Sequence, residues 1–162
     1  MKKILTVLAI TLVFSCNSTA QKKDMADNDS KKFEVTKTDA EWKAQLTPKQ
    51  YYILRQNGTE RPFSSDLNKN YKAGKYVCAA CNTPLFESEN KFDSGTGWPS
   101  FDRAVTGNTQ LEAGGSDFQG HEEHCAVCGG HLGHVFNDGP RATTGKRHCI
   151  DGDALLFIPE KG

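Results

Sequence analysis

The chain has 162 residues, which is enough for one domain or for one domain with appendages. Twenty Lys and Arg balance twenty Asp and Glu, and this zero formal charge excludes a basic protein that coats nucleic acid and an acidic solvating tail. Apolar residues make up 36% of the chain, enough for a modest core, and its 15 Gly and six Pro favour a turn-rich, strand-rich fold.

The first residues have the pattern of an export signal. Two lysines precede an apolar run over residues 4–14, which is shorter than the roughly 20 residues that a membrane-spanning helix needs. Val13-Phe14-Ser15-Cys16 resembles the lipobox of bacterial lipoproteins, and an ordinary cleavage site after Ala20 competes with it. Residues 1–20 are therefore predicted to direct export to the periplasm or cell envelope. A lipid anchor at Cys16 is the expected contact with the membrane if the lipobox is used, and cleavage after Ala20 would instead release a soluble exported protein.

The remainder divides into a tether and a folded domain. Residues 21–35 are polar and charged, which is typical of a flexible tether, and the domain is predicted over residues 36–162. After residue 70, short strand-like runs at Lys75–Cys78, Gly133–Phe136 and Ala154–Ile158 alternate with turn residues. This part of the domain is predicted to be mostly β.

Two short helices are predicted at the start of the domain. Thr38 and Glu41 have the spacing of a capping box ahead of Trp42, which indicates a first helix. Thr47-Pro48 indicates the N-cap and first turn of a second helix. Asn57-Gly58 is expected to end it, because both residues tolerate left-handed backbone angles.

Four of the six cysteines have the spacing of a metal site. Cys78 and Cys81 form one C-x-x-C pair, and Cys125 and Cys128 form another. Each pair lets one tight turn present two sulfurs to a single ion, and two such turns complete a tetrahedral site. Zinc is the expected ion, in a structural role, because four thiolates leave no open position for a substrate.

Other uses of these four thiols remain open from spacing alone. Iron in a rubredoxin-like site needs the same Cys₄ set, so the spacing does not separate the two metals. An exported protein can also form two disulfides, although a bridge within C-x-x-C closes a very small loop and constrains little of the unfolded chain. A redox-active C-x-x-C is less consistent, since no thioredoxin-like βαβ pattern surrounds either pair.

Cys149 is the candidate nucleophile. It follows Lys146, Arg147 and His148, and nearby positive charge favours the thiolate, which is the reactive form. The alternative is a buried, inert cysteine, which is common in proteins. The neighbouring charges favour the reactive interpretation.

Two further segments carry residue types used in chemistry. In Ser94–Phe101, Trp98 lies on a loop rich in Gly and Pro, where its ring could form the wall of a small apolar pocket. In the run His131–Phe136, the imidazoles of His131 and His134 suggest acid–base work or ligation. The alternatives are a core tryptophan in an ordinary turn and structural histidines.

These segments together resemble the B-type methionine-R-sulfoxide reductases, over about residues 40–158. The resemblance is carried, in the family's order, by Leu46-Thr47-Pro48-Lys49-Gln50-Tyr51, Thr59-Glu60-Arg61-Pro62-Phe63, the first cysteine pair, Gly97-Trp98-Pro99-Ser100-Phe101, His131–Phe136 and Arg147-His148-Cys149. It implies a mostly β fold of two antiparallel sheets, β-tent-like, with short N-terminal helices and one structural zinc ion.

The resemblance also implies the reaction and the site. The expected reaction is reduction of the R epimer of methionine sulfoxide in oxidised proteins or peptides, through a sulfenic acid on Cys149 and at the expense of a thioredoxin-like reductant. It implies that His131 and His134 hold and protonate the sulfoxide oxygen. It places the remaining site residues among those that bind substrate: Trp98, Phe136, Arg147 and Asp151.

Three departures from the family pattern stand out. Asp151 replaces an asparagine found in many members, and an ionised carboxylate there would oppose a nearby thiolate. Thr96 stands where many members have a second, resolving cysteine, so an external thiol is expected to attack the oxidised Cys149 directly. Glu123 and His124 replace residues that are more often apolar and basic, and they are interpreted as surface variation.

Two other functions compete with the reductase. One is a non-catalytic zinc-ribbon module that binds a partner at the cell surface, and the other is a rubredoxin-like iron electron carrier. Neither needs a lone cysteine flanked by Arg and His, which is why the reductase is preferred.

Overall fold

The computed structural model describes residues 33–161. The predicted export segment over residues 1–20, with Cys16, lies outside the described residues, as does most of the predicted tether over residues 21–35. Within the described range, no helix has the length and apolar character needed to cross a bilayer.

The two predicted helices are present and end as expected. They are α1 (Asp39–Gln45) and α2 (Pro48–Gln56). Both begin with the reciprocal bonds of a capping box, formed by Thr38 with Glu41 and by Thr47 with Gln50. Asn57 adopts a left-handed conformation (φ 51°) and ends α2, which a short polar side chain tolerates well. The inner faces of the helices bury Trp42, Leu46, Ile53 and Leu54.

The rest of the described chain is β structure joined by turns. Its strands are β1 (Gly74–Cys78), β2 (Pro84–Glu87), β3 (Lys91–Phe92), β4 (Ser100–Phe101), β5 (Thr109–Leu111), β6 (His121–Cys125), β7 (His131–Phe136), β8 (Arg147–Ile150) and β9 (Leu155–Pro159). Short 3₁₀ turns cover Asp66–Lys69, Ser88–Asn90 and Gly152–Ala154.

The strands form two antiparallel sheets, which confirms the predicted fold class. A three-stranded sheet has the order β2-β1-β9, and a six-stranded sheet has the order β3-β4-β8-β7-β6-β5. In the larger sheet, β8 lies between β4 and β7. The central position of β8 matters, because this strand carries Cys149.

Aromatic contacts join the two sheets. Phe86 of β2 stacks on Phe101 of β4 with ring centroids 4.3 Å apart, and Tyr76 of β1 meets the same ring edge-on at 4.9 Å. All three side chains are fully buried. Such pairs contribute beyond the area they bury, so this cluster fixes the edge of the large sheet against the small one.

One sequence interpretation is wrong. Glu123 and His124 were expected on the surface, but Glu123 is completely buried and His124 is 8% exposed. Glu123 lies in β6, with its side chain against the core face of the large sheet, where His148 of β8 meets it. The hydrogen bonds with His148 make the burial of Glu123 possible, because burying a carboxyl group without a partner would cost free energy.

Candidate active site and metal centre

The two C-x-x-C pairs form matching turns. Asn82 (φ 60°) and Gly129 (φ 67°) directly follow the pairs in left-handed conformations, as their residue types predict. The amide of Asn82 donates to the carbonyl of Cys78 at 2.8 Å, and that of Gly129 donates to Cys125 at 2.9 Å. Each turn therefore directs both of its thiols to the same side.

The four sulfurs have the spacing that zinc requires. Their ligand atoms all lie within 4.8 Å of one another, with Sγ–Sγ distances of 3.7 Å between Cys78 and Cys128 and 3.6 Å between Cys81 and Cys125. A tetrahedral site with Zn–S bonds of about 2.3 Å has edges of about 3.8 Å. All five cysteines among the described residues are free, so no disulfide competes for these thiols there.

The crowding of four thiols also indicates that a cation binds at this cluster. Hydrogen bonding to Cys125 and the other two thiols, together with burial, raises the pKa of Cys78 far above its ordinary range. Four crowded thiolates coexist at such a site only when a positive ion lies between them. The cysteine cluster therefore fits one structural metal ion, and zinc suits its donor set.

The reactive cysteine candidate lies in the middle of the large sheet. In the antiparallel register, Cys149 is directly opposite His134 of β7 on one side and Ser100 of β4 on the other. Directly opposite residues have Cβ atoms about 4.5–5.5 Å apart and share one face of the sheet. The pairing therefore brings the predicted nucleophile and one predicted imidazole together.

The charges around Cys149 differ from the sequence expectation. Burial raises the pKa of the Cys149 thiol, and Asp151 raises it further, whereas Arg147 and Thr96 lower it. The resting thiol is therefore more protonated than a solvent-exposed cysteine, because desolvation outweighs the nearby positive charge. Of the three neighbouring cations, only Arg147 shares the face of Cys149, and its effect on the pKa of the thiol is smaller than that of desolvation.

Strand alternation separates those three cations. Arg147 lies two residues from Cys149 and therefore on its face, opposite Phe136, whose ring lies 4.2 Å from the guanidinium carbon. Asp138 holds this guanidinium through two bonds of 2.8 and 2.9 Å. Arg147 is thus a fixed cation on the face of the nucleophile, and Phe136 belongs to the same face.

His148 points to the opposite face. Its Nδ1 lies 2.9 Å from both carboxylate oxygens of Glu123, and its ring meets Phe86 edge-on at 5.7 Å. Lys146 lies on the surface, where it donates to Asn137. Neither side chain faces the reactive sulfur, so both belong to the structural surroundings of β8.

His131 is held between two carboxylates. Its Nδ1 lies 2.7 Å from Glu122 Oε1, and its Nε2 lies 3.8 Å from Asp151 Oδ2. The side chain is 4% exposed. These partners fix the orientation of the His131 ring, which suits a residue that positions another group.

His134 is more open and lies next to His131. The two ring centroids are 5.6 Å apart, and His134 lines an open cavity together with Glu122 and the loop over residues 112–120. Burial, followed by the charge of His131, lowers the pKa of His134. His134 is therefore mostly uncharged near neutral pH and able to accept a proton from an adjacent thiol.

Asp151 belongs to a buried polar network on the same side of the site. Its Oδ1 accepts hydrogen bonds from the Thr59 hydroxyl and the Glu60 amide, each at 2.8 Å. Burial raises the pKa of Asp151, although these bonds and the two histidines act against the shift. Its charge also raises the pKa of Cys149, as the sequence argument anticipated.

Glu60 organises the same region and was missed as a site residue. Its carboxylate accepts from the amides of Gly152 and Asp153 at 2.9 and 3.0 Å, while its carbonyl accepts from the indole of Trp98 at 3.2 Å. Burial raises the pKa of this carboxyl. Glu60 thus ties the loop that carries Trp98 to the turn that follows Cys149, and Trp98 remains partly exposed beside the nucleophile's strand.

Thr96 approaches the reactive sulfur from the same loop. Its Oγ1 lies 3.9 Å from Cys149 Sγ, and Ser94 links it to Ser100 through hydroxyl contacts of 2.8 and 2.7 Å. Thr96, which stands at the position predicted for a resolving thiol, thus lies near the reactive sulfur.

The sequence alone does not show which side chains hydrogen-bond to the predicted site residues. Glu122, Glu123 and Asp138 hold His131, His148 and Arg147, and each pair comes from different strands or from a turn beyond a strand. A strand that carries acids and histidines, such as His121–Cys125, presents them on two different faces, but the sequence does not show which residues each face contacts.

Comparisons with known proteins show the family to which this chain belongs. The SelR domain matches residues 46–159. "Peptide methionine sulfoxide reductase MsrB" from Methanosarcina barkeri is 52% identical over 78% of this chain and 90% of that protein. The protein of the same name from Leptospira interrogans is 50% identical over 79% of this chain and 98% of its own length. "Peptide methionine sulfoxide reductase B1, chloroplastic" from Arabidopsis thaliana is 46% identical over 86% of this chain and 69% of that protein.

A solved structure with a related shape was also found. The "Yippee-like" domain of Mis18 covers 56% of this chain with a TM-score of 0.45 and 18% identity. A likeness of that size carries no conclusion about function.

Proposed function

The chain belongs to the SelR domain family and is a B-type methionine sulfoxide reductase, and from this premise we propose that it reduces the R epimer through a sulfenic acid on Cys149. The observation that carries this proposal is the pairing of Cys149 with His134 across β7 and β8, beside the loop that carries Thr96 and Trp98. A nucleophile, a proton carrier and an aromatic wall thereby converge on one small volume.

The first step is proton transfer within the site. Both groups start neutral, because burial raises the pKa of Cys149 and lowers that of His134. When substrate binds, the Cys149 thiol gives its proton to His134, which leaves a thiolate next to an imidazolium. The site thereby forms its nucleophile and its acid together, and no outside proton is required.

The second step moves oxygen from the substrate to the enzyme. The Cys149 thiolate attacks the sulfoxide sulfur while the imidazolium of His134 gives its proton to the sulfoxide oxygen. This attack forms a bond between the sulfur of Cys149 and the sulfur of the substrate. The hydroxyl then moves to the Cys149 sulfur: a new sulfur–oxygen bond forms there while the sulfur–sulfur bond and the sulfur–oxygen bond of the substrate break. Methionine leaves, and Cys149 is left as a sulfenic acid. Cys149 is oxidised by two electrons and the substrate sulfur is reduced by two.

The other side chains bind and orient the substrate. Trp98, with its indole held by the Glu60 carbonyl, offers an apolar face for the methyl group of the sulfoxide. His131, fixed by Glu122 and Asp151, positions the sulfoxide oxygen. Phe136 and Arg147 close the same face from the other end of β7 and β8.

The metal centre supports this site without taking part in the reaction. Cys78, Cys81, Cys125 and Cys128 would hold the zinc ion, whose contribution is to join the ends of β1 and β6 in a small domain. Four protein thiolates leave no coordination position for the sulfoxide.

Regeneration needs two equivalents of an external thiol. The first attacks the sulfenic sulfur, releases water and forms a mixed disulfide with Cys149. The second releases the Cys149 thiol and leaves the reductant as a disulfide. A thioredoxin-like protein is the proposed reductant. The segment over residues 1–20 supports a role in repairing oxidised proteins of the periplasm or cell envelope, with attachment to the membrane through Cys16.

The proposal is tested with separated R and S methionine sulfoxide and dithiothreitol as reductant. Zinc-loaded protein is expected to turn over the R epimer alone, and Cys149→Ser is expected to be inactive while it retains one zinc ion and the wild-type Tm. Turnover of the S epimer, or full activity in Cys149→Ser, would contradict the proposal. A dimedone adduct on Cys149 after one turnover without reductant checks the sulfenic acid.

A further inference from the structure

An exposed aromatic ring lies beside the loop that carries Trp98. Phe63 is 65% exposed, and its amide donates to the carbonyl of Gly97 at 2.7 Å. Its ring rests against Gly97, since a Cβ placed on that glycine would come within 2.9 Å of the ring. Gly97 directly precedes Trp98, so the two aromatic residues are joined through one glycine.

The backbone of Phe63 is strained. In the described part of the chain, the residues other than glycine that have a positive φ are Asn57, Phe63 and Asn82. The short polar side chain of asparagine tolerates this conformation. Phe63 has φ 62° and a bulky side chain, which makes it the true outlier. Strain of this kind persists only where the surrounding structure enforces it, and it is concentrated at functional sites.

Folding does not account for the phenyl group at this position. The bond to Gly97 uses the backbone amide, which any residue but proline supplies. The residue as a whole is 65% exposed, so burial of its side chain contributes little to compensate the strain. The ring is thus available for contact with another molecule at the border of the site.

We propose that Phe63 is a specificity-determining residue that contacts the chain on either side of a methionine sulfoxide in a peptide or unfolded protein. The inference rests on the proposed function, in which the sulfoxide methyl lies on Trp98. An extended peptide advances about 3.3 Å per residue, so a neighbour one or two positions along the substrate reaches Phe63. Because an aromatic face accepts backbone and varied side chains alike, this contact suits substrates of many sequences.

The experiment compares free methionine-R-sulfoxide with a short blocked peptide that contains the same residue. Phe63→Ala is expected to raise KM for the peptide roughly two- to tenfold, the range of one aromatic contact, with kcat unchanged. The kinetic constants for the free amino acid are expected to stay at the wild-type values, and Phe63→Tyr is expected to match wild type on both substrates. Ile158→Ala is the control, because it removes a side chain that is 51% exposed on the three-stranded sheet.

The possible outcomes distinguish this inference from the proposed function on which it rests. A wild-type KM for the peptide in a Phe63→Ala protein with wild-type Tm overturns the inference alone. Equal losses on both substrates also overturn it, because they would mean that Phe63 supports the loop of Trp98 instead. A wild-type protein that reduces neither substrate overturns the proposed function and the inference together.

Discussion

At the scale of single residues, desolvation decides the protonation of the reactive pair. Cys149 and His134 lie opposite each other on neighbouring strands, and burial favours the neutral form of each. Arg147 shares the face of Cys149 and lowers the pKa of its thiol, but desolvation has the larger effect, and Asp138 binds the guanidinium through two bonds. Both members of the pair are therefore mostly neutral near pH 7.

The pH dependence of the first turnover follows from this pair. The pKa of His134 is lowered from 6.5, so the acid limb of kcat/KM is expected below pH 6.5, where His134 loses its ability to accept the thiol proton. The pKa of Cys149 is raised from 9.0, so the alkaline limb is expected above pH 9.0, where the proton needed by the sulfoxide oxygen is lost.

Stopped-flow measurement of a single turnover by pre-reduced enzyme checks both limbs, since it removes the titration of the reductant. A plateau between the two limbs is expected. A rate that rises with pH up to an early plateau near pH 7, with no alkaline limb, would indicate a thiolate that exists before substrate binds.

Asp151 adds a second test of the same pair. Asp151→Asn retains an oxygen that accepts from Thr59 and Glu60 and removes the charge that raises the pKa of Cys149. The pH midpoint of Cys149 alkylation by iodoacetamide is therefore expected to fall, with activity near neutral pH equal to or above wild type. Asp153→Asn, on the same turn, is expected to leave the midpoint unchanged. A collapse of activity in Asp151→Asn would show that the carboxylate has a positive role.

The neighbourhood of Cys149 also predicts how the oxidised enzyme is reduced. Among residues 33–161 the other four cysteines form the metal cluster, so no free thiol remains there to resolve a sulfenic acid. Wild-type protein is expected to show no intramolecular disulfide after one turnover. Thr96→Cys is expected to form one with Cys149 and lose two hydrogens by intact mass, because the Thr96 hydroxyl lies 3.9 Å from the sulfur. A disulfide in the wild type would refute this scheme.

At the scale of elements, β6 and β8 are joined by a buried acid–histidine pair. Glu123 is fully buried and His148 is the only hydrogen-bond partner that its carboxylate shows among the described residues. Removing one partner leaves the other buried without a hydrogen bond, which lowers the free energy of unfolding. Replacing both with apolar residues of similar volume often leaves that free energy unchanged or raises it. The pair connects the strand of the metal ligand Cys125 to that of Cys149 without facing the reactive side.

This arrangement predicts a strongly non-additive pair of substitutions. Glu123→Val alone is expected to lower the free energy of unfolding by about 3 kcal/mol, because it leaves His148 unpartnered. Adding His148→Phe is expected to restore most of the loss, since the phenyl ring fits beside Phe86. Urea unfolding of the two single variants and the double variant measures the coupling, and additive losses would show that the pair is not one unit.

At the scale of the whole molecule, the four-cysteine cluster lies where the two sheets meet. Cys78 ends β1 of the small sheet and Cys125 ends β6 of the large one. The chain leading into the domain also packs here: the Phe33 ring lies against Gly129, and the Val35 amide donates to Val127 at 2.9 Å. An ion at this place holds together segments that are far apart in sequence.

Metal removal is therefore expected to unfold the domain. A structural zinc ion contributes on the order of 10 kcal/mol at neutral pH, which is comparable with the whole stability of a small domain. Cys128→Ser, or treatment with a strong chelator, is expected to abolish cooperative thermal unfolding, while Cys149→Ser keeps one bound zinc by elemental analysis. Acid is expected to act like the chelator, because the ligands bind as thiolates. A metal-free protein with an unchanged Tm would rule out this role.

The sequence alone determined the parts that depend on local chemistry. Residues a few positions apart predict the capping boxes at Thr38 and Thr47 and the left-handed turn after each cysteine pair. Their spacing also separates the four cysteines of the two C-x-x-C pairs from Cys149. The tertiary structure decided what depends on neighbours across strands. The burial of Glu123, the protonation of Cys149 and the link from Glu60 to Trp98 come from register and desolvation. A single strand shows which residues share a face, but the strand beside it determines what that face meets.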